Sequence, residues 1–207
     1  MVFGEKGTGK TLLAQLAIAQ AQKQNPNCKA IFFDIERTYD PRWFALTGVD
    51  TSGASLRVIR PRNLEQAFDL MCDALNTVHP DIIIVDSIPA LVTKAEMEAD
   101  METQDFRGVS ARKTTAGVKR ATQYNQDTAL IFINQLRVDM GKTFGNPEKL
   151  PGGKALKFHM SLMVRTRRGA WLTDADVAED ELPDLDTVLE SDKDPRRIGF
   201  MLRLRTE

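Results

Sequence analysis

Short, almost wholly apolar runs alternate along the chain with longer stretches in which apolar positions return every three or four residues. Ala30–Asp34 (AIFFD), Leu56–Ile59 (LRVI), Ile82–Asp86 (IIIVD) and Ala129–Ile133 (ALIFI) are of the first kind. Their length and β-branched or aromatic content predict buried strands. Thr11–Gln24, Leu64–Val78 and Gly108–Asn125 are of the second kind and predict helices. The first helix ends at Asn25-Pro26, and Asn63 is placed to cap the second, with Gln66 three residues on. Strands alternating with helices imply a largely parallel sheet covered on both faces. After Phe158 the pattern becomes alternation, at Phe158–Arg165 and Ile198–Arg205, which predicts hairpin-like strands on one edge. The fold class expected is therefore α/β, with a mostly parallel sheet, flanking helices and antiparallel edge strands. No internal repeat is visible.

In open sheets of this kind ligands sit at the carboxyl ends of the strands, so the polar residues closing each run are the ones to examine. Gly4-Glu5-Lys6-Gly7-Thr8-Gly9-Lys10-Thr11 fits G-x-x-x-x-G-K-[ST] and precedes the first helix. Its glycines let the backbone curl so that several N–H groups face one anion, and the helix adds its positive end. Lys10 is placed to reach β- and γ-phosphates, and the Thr11 hydroxyl to ligate Mg²⁺. Four apolar residues then Asp86 is the arrangement that delivers a carboxylate to the same Mg²⁺. Glu36, just past another strand end, suits either polarisation of a water for attack on the γ-phosphate or the capping of a following helix. Gln135 follows the fourth run; an amide there can contact a γ-phosphate, or simply form a turn.

Composition narrows the picture. The 207 residues, 42% of them apolar, suit one domain with a sizeable core. No apolar run approaches the ~18 residues of a membrane span. Two cysteines without a partner pattern, Cys28 and Cys72, predict reduced thiols and a cytoplasmic protein, and two isolated histidines do not suggest a metal centre. The net charge of −1 conceals a basic middle, net +10 over residues 106–168, and an acidic stretch, 169–194, with ten carboxylates and one lysine. The basic middle suggests a polyanion-binding face, against the alternative of solvated helix faces. Within it, Leu136–Gly153 holds Arg137, Met140, Lys142, Phe144 and Lys149 among glycines. That composition fits a loop gripping single-stranded nucleic acid and equally fits a plain surface loop. Trp171–Pro195 reads as a long solvated loop. Only Met1-Val2-Phe3 precede the phosphate motif, and the last alternating run stops near the final residue. Both ends read as those of a piece cut from a longer protein.

Four strings together resemble the bacterial and phage RecA recombinase family: GEKGTGKT, FFDIERTYDPRWFALTGVD, DIIIVDSIPALVTKAEME and INQLRVDMGKTFGNPEKLPGGKALKF. The last is the most specific, since it joins a sensor glutamine to a loop ending in Gly152-Gly153. The resemblance implies a RecA-type ATPase core over 1–207 with an acidic insertion at 169–195. By the same resemblance this stretch is expected to lack the family's N-terminal oligomerisation segment and C-terminal domain. It makes Glu36 the water-activating base, Lys10 and Gln135 its catalytic partners, and Gly4–Thr11 the phosphate cradle. Asp40 and Trp43 fall where the family contacts adenine, and Thr11 and Asp86 where it holds Mg²⁺. Two DNA loops are implied: Glu96–Arg112, with Phe106, Arg107 and Arg112, and Leu136–Gly153, with Arg137, Met140 as a wedge between bases, Lys142, Phe144 and the two glycines. Phe144 and Phe158 match positions coupling ATP sensing to the subunit interface. The first loop is about one residue longer than in the family and carries Glu96, Glu98, Asp100, Glu102 and Asp105.

By this resemblance the expected activity is DNA-dependent ATP hydrolysis in a helical homo-oligomeric filament on single-stranded DNA. Such filaments support homologous pairing, strand exchange, DNA repair and, in bacteria, the SOS response to DNA damage. Two alternatives stand beside it: a helicase-like motor of the same superfamily, and a mediator that holds ATP and DNA without turnover. The intact set Lys10, Glu36, Asp86 and Gln135 weighs against the mediator, and the FGNPE…GG loop against the motor.

Overall fold

Because Ala30–Asp34 and Ile82–Asp86 are apolar at every position before the closing aspartate, both faces of those strands need cover. The computed structural model describes residues 1–99, 107–138, 148–152, 154–173 and 197–207. Its strands are β1 (Val2–Gly4), β2 (Ala30–Asp34), β3 (Leu56–Ile59), β4 (Ile82–Asp86), β5 (Ala129–Gln135), β6 (Arg137–Val138), β7 (Glu148–Lys149), β8 (Val164–Thr173) and β9 (Arg197–Thr206). Its helices are α1 (Lys10–Gln24), α2 (Pro41–Leu46), α3 (Leu64–Thr77), α4 (Lys94–Glu98) and α5 (Arg107–Tyr124). Short 3₁₀ turns lie at Ile88–Ala90 and Lys154–His159. Among the described residues one seven-stranded sheet has the order β3-β2-β4-β5-β1-β8-β9, parallel except for the β8–β9 pair at its edge. The α/β class and the antiparallel edge are thus as expected.

Alternate residues of the central strands face two cores. Ile31, Phe33, Ile83 and Val85 pack with α3 and α5 through Phe68, Met71, Leu75 and Val118. Ala30, Phe32, Ile82 and Ile84 pack on the other face with α1 and α2 through Ala14, Ile18 and Phe44. Parallel register then aligns the strand ends. Asp34 lies beside Asp86, and Gly4 beside Gln135. The glycine-rich loop of residues 4–9 after β1, termed the P-loop for its sequence pattern, both strand-end aspartates and the glutamine are thereby gathered on one rim of the sheet.

Several boundaries differ from the sequence expectation. Strand β1 has three residues, yet it is buried in the middle of the sheet between β5 and β8. Residues 158–163 are not strand. Phe158 is 88% exposed while Leu156 is 1% exposed, so the alternating apolar residues there do not form one buried face. Trp171–Thr173, expected to open the acidic loop, close β8 instead, and 174–196 lie outside the described residues. Helices α2 and α4 were not expected. Their start signals are in the sequence: Asp40 caps α2 ahead of Pro41, and Thr93 with Glu96 forms a capping box on α4. The expected Asn63 cap on α3 is present, whereas Gln66 reaches back to the Arg62 N–H instead of that of Asn63.

Candidate nucleotide-binding site

The loop between β1 and α1 is shaped by glycines at three places. A Cβ on Gly4 would lie 2.4 Å from the Thr166 carbonyl oxygen, so β1 and β8 approach too closely there for any side chain. Gly7 and Gly9 both have φ of +74°, the left-handed region that favours glycine. Gly9 caps α1 and leaves the helix without a side-chain cap, so its first N–H groups are open to an external acceptor. Thr8 pins the loop by donating to the Glu5 carbonyl at 2.8 Å and sharing a hydrogen bond with Thr166 Oγ1, also 2.8 Å.

Charged and polar groups converge beneath this loop. Lys10 is buried, and its Nζ donates to the Glu5 carbonyl. Burial lowers its pKa, against the pull of the Asp86, Glu36 and Glu5 carboxylates. Thr11 Oγ1 donates to Asp86 Oδ2 at 2.6 Å. Burial pushes the Asp86 pKa up to about 6, opposed by the Thr11 hydrogen bond and reinforced by the charge of Glu36. Asp34, fully buried next to it, is committed elsewhere: it accepts from Arg60 Nε and from the Thr38 and Tyr39 N–H groups. Asp86 is thus the strand-end carboxylate that faces the P-loop.

Glu36 lines the same cleft as Lys10. Its backbone N–H donates to the Asp86 carbonyl at 3.2 Å, and its carboxylate does not cap a helix. Glu36 Oε1 accepts instead from Ser87 Oγ and, at 2.7 Å, from Gln135 Nε2. The peptide bond between Asp86 and Ser87 is cis. A cleft of about 380 Å³ is lined by residues 6–12, Glu36, Trp43, Asp86, Gln135 and Phe200. Trp43 is 53% exposed and borders it, whereas Asp40 does not and is occupied in capping α2 through the Arg42 N–H. A larger groove of about 640 Å³ near Met1, Leu13 and Leu162 is mostly apolar and shares none of these groups; the chemistry favours the smaller cleft.

The sequence model of the RecA N-terminal domain family matches residues 1–185. The chain belongs to the RecA family. Protein RecA from Francisella tularensis subsp. novicida is 39% identical over 189 residues, covering 87% of this chain and 50% of its own length. The RecA proteins of the subspecies tularensis and holarctica give the same figures. This RecA-family chain therefore spans about half the length of the curated relatives it matches.

The cleft of this RecA-family chain fits a nucleoside triphosphate. Its helix N-terminus has no side-chain cap, and a Cβ built on Gly7 would meet nothing within 4 Å, so the cradle is open. Thr11 and Asp86 offer two adjacent oxygens, a donor set suited to Mg²⁺ completed by phosphate and water. Among the described residues there is no cluster of three or more His, Cys, Asp or Glu able to hold a metal ion by itself.

The residues expected to contact DNA are only partly described. Arg137 is exposed and pairs with Lys149 across the small β6–β7 ribbon, which leaves β5 directly after Gln135. Gly152 has φ of +91°, and its carbonyl accepts from Thr115 of α5 at 3.3 Å. Arg107 opens α5, and Arg112 is exposed one turn later, its Nε donating to the Gly108 carbonyl. Phe106, Met140, Lys142, Phe144 and Gly153 lie outside the described residues. Sequence reading missed Ser87, Thr166 and Phe200. Ser87 was within reach, as the neighbour of Asp86. Thr166 meets the P-loop, and Phe200 lines the cleft, only through the order of β1, β8 and β9, which no local signal encodes.

Proposed function

We propose that the chain is the ATPase core of a recombinase that binds single-stranded DNA under the control of ATP. One observation carries this reading. Gln135 touches the carboxylate of Glu36 at the P-loop, and the chain passes from Gln135 straight into the ribbon that flanks residues 139–147. Nucleotide and loop therefore share one element. In this reading the open N–H groups of the P-loop and Lys10 hold the phosphates. Thr11 and Asp86 hold Mg²⁺, which when bound offsets charge on the phosphate oxygens. Glu36 takes a proton from water as its oxygen bonds to the γ-phosphorus, and the bond to the β-phosphate oxygen breaks to leave ADP and phosphate. Gln135 senses the γ-phosphate and passes its presence to the ribbon. Trp43 offers a flat face to the base.

Residues 106, 107, 112, 137, 140, 142, 144, 152 and 153 are the proposed DNA contacts, supported by the net +10 of residues 106–168. Within the longer protein the core is proposed to act in a cytoplasmic helical filament that pairs and exchanges strands. No helix among the described residues is long and apolar enough to cross a membrane. ATP hydrolysis is expected to rise on adding single-stranded DNA. Glu36→Gln is expected to leave ATP affinity within about twofold and to lower turnover by about 10²- to 10⁴-fold. A variant that turns over like the wild type removes Glu36 as the base.

A further inference from the structure

We infer that Ser87 is a positioning residue that sets the water-activating carboxylate of Glu36. The inference rests on the proposed hydrolytic reading and goes beyond it, since neither motif includes this serine. Glu36 is an exposed, long side chain on a loop, so its carboxylate has several accessible rotamers unless something fixes it. Its backbone is fixed already, through the N–H bond to the Asp86 carbonyl. The side chain is fixed by a hydroxyl of very different character. Ser87 has no solvent exposure, and its own carbonyl accepts from the Ala90 N–H at the 3₁₀ turn that follows β4. A buried donor on a rigid strand end thus holds one oxygen of a mobile acid.

Both donors reach the same atom. Ser87 Oγ and Gln135 Nε2 converge on Oε1 of Glu36, and no bond from either reaches Oε2. Oε2 is left to accept the proton of a water, on the side away from the serine. The two donors differ in what nucleotide does to them. Gln135 lines the cleft, where its amide is free to turn toward a γ-phosphate. Ser87 is fully buried and does not line the cleft, so a bound nucleotide has no direct access to it. The serine therefore supplies the constant part of the geometry, and the glutamine the part that changes.

Steady-state ATP hydrolysis with single-stranded DNA tests this, together with binding of a fluorescent ATP analogue and thermal unfolding. Ser87→Ala is expected to lower kcat by about 10- to 100-fold, the effect of a misplaced catalytic group. Analogue affinity and nucleotide-dependent DNA affinity are expected to stay within about twofold. Glu36→Asp withdraws the carboxylate from the hydroxyl by one methylene. Adding Ser87→Ala to Glu36→Asp is therefore expected to cost less than about twofold more, because the interaction is already gone. Wild-type kcat in Ser87→Ala, or an undiminished loss in the Glu36→Asp background, overturns the positioning role. A loss of analogue affinity that matches the loss of kcat overturns it too, by making the serine structural. If Glu36→Gln keeps wild-type turnover, the hydrolytic reading fails first.

Discussion

At the residue scale the site is held by close approaches that tolerate no substitute. Gly4 is the sharpest case. It ends β1 in the middle of the sheet, and the atom a Cβ would strike is the backbone oxygen of Thr166, with Thr166 Oγ1 only 2.5 Å away. The backbone of β8, paired on both sides with β1 and β9, cannot give way as the tip of a flexible side chain can. Gly4→Ala is thus expected to destabilise the chain by about 2–3 kcal/mol, as overpacking does in a rigid core. The loss is read as a lower urea midpoint at unchanged slope. An unchanged midpoint would mean that β1 and β8 part without cost. Gly7 differs: its side is open, so only its left-handed φ argues for glycine. The motif made these glycines visible in the sequence, but the reason for Gly4, a strand more than 150 residues away, was not.

At the element scale β2 and β4 were legible because burial on both faces leaves unbroken apolar runs, and β3 by its short β-branched run at the sheet edge. β2, β3 and β4 begin and end where AIFFD, LRVI and IIIVD do. Short helices were not, since α2 and α4 hold a cap and little more than a turn, too short to show a period. Long-range pairing was the other blind spot: the Ser87–Glu36 bond depends on β2–β4 register, which no window of sequence contains. The contact between α3 and α5 gives an element-level test. Glu65 of α3 accepts from Lys113 of α5 and from the Lys94 N–H that opens α4. Burial alone would raise the Glu65 pKa, but these donors outweigh it and hold it below the usual value. A carboxyl lowered on folding adds stability that is present above its unfolded pKa and fades as pH falls through the folded one. The pair is partly exposed, so its worth is about 0.5–1 kcal/mol, or roughly 1–3 °C in Tm. Glu65→Gln is expected to melt lower than wild type at pH 7, with the gap closing by pH 3. Equal gaps at both pH values would assign the loss to packing.

At the scale of the whole molecule, the P-loop cleft and the basic ribbon are joined by short physical links. The ribbon β6–β7 is continuous with Gln135 on one side. On the other, Glu148 is gripped by both terminal nitrogens of Arg165, a side chain only 11% exposed on β8. The next residue of β8, Thr166, is the one hydrogen-bonded to Thr8 of the P-loop. The ribbon is thus tied to the P-loop cleft through its chain and through its ion pair. If it carries DNA contacts, they are mainly ionic, because Arg137 and Lys149 lie paired upon it. Binding to a single strand then releases about 0.7 counterion per phosphate neutralised. With about four phosphates neutralised, raising salt from about 50 to 200 mM lowers affinity roughly 50-fold. Arg137→Ala removes one exposed cation from the ribbon and leaves the cleft untouched. Its plot of log affinity against log salt is expected to be shallower by about 0.7, equally for any base sequence. Fluorescence anisotropy of a labelled oligonucleotide across a salt series, with a non-hydrolysable ATP analogue present, reads that slope. A parallel line shifted downward would mean that Arg137 shapes the ribbon without touching the backbone of the strand. An identical line would take the ribbon out of the DNA path and leave the basic face of α5 to carry it.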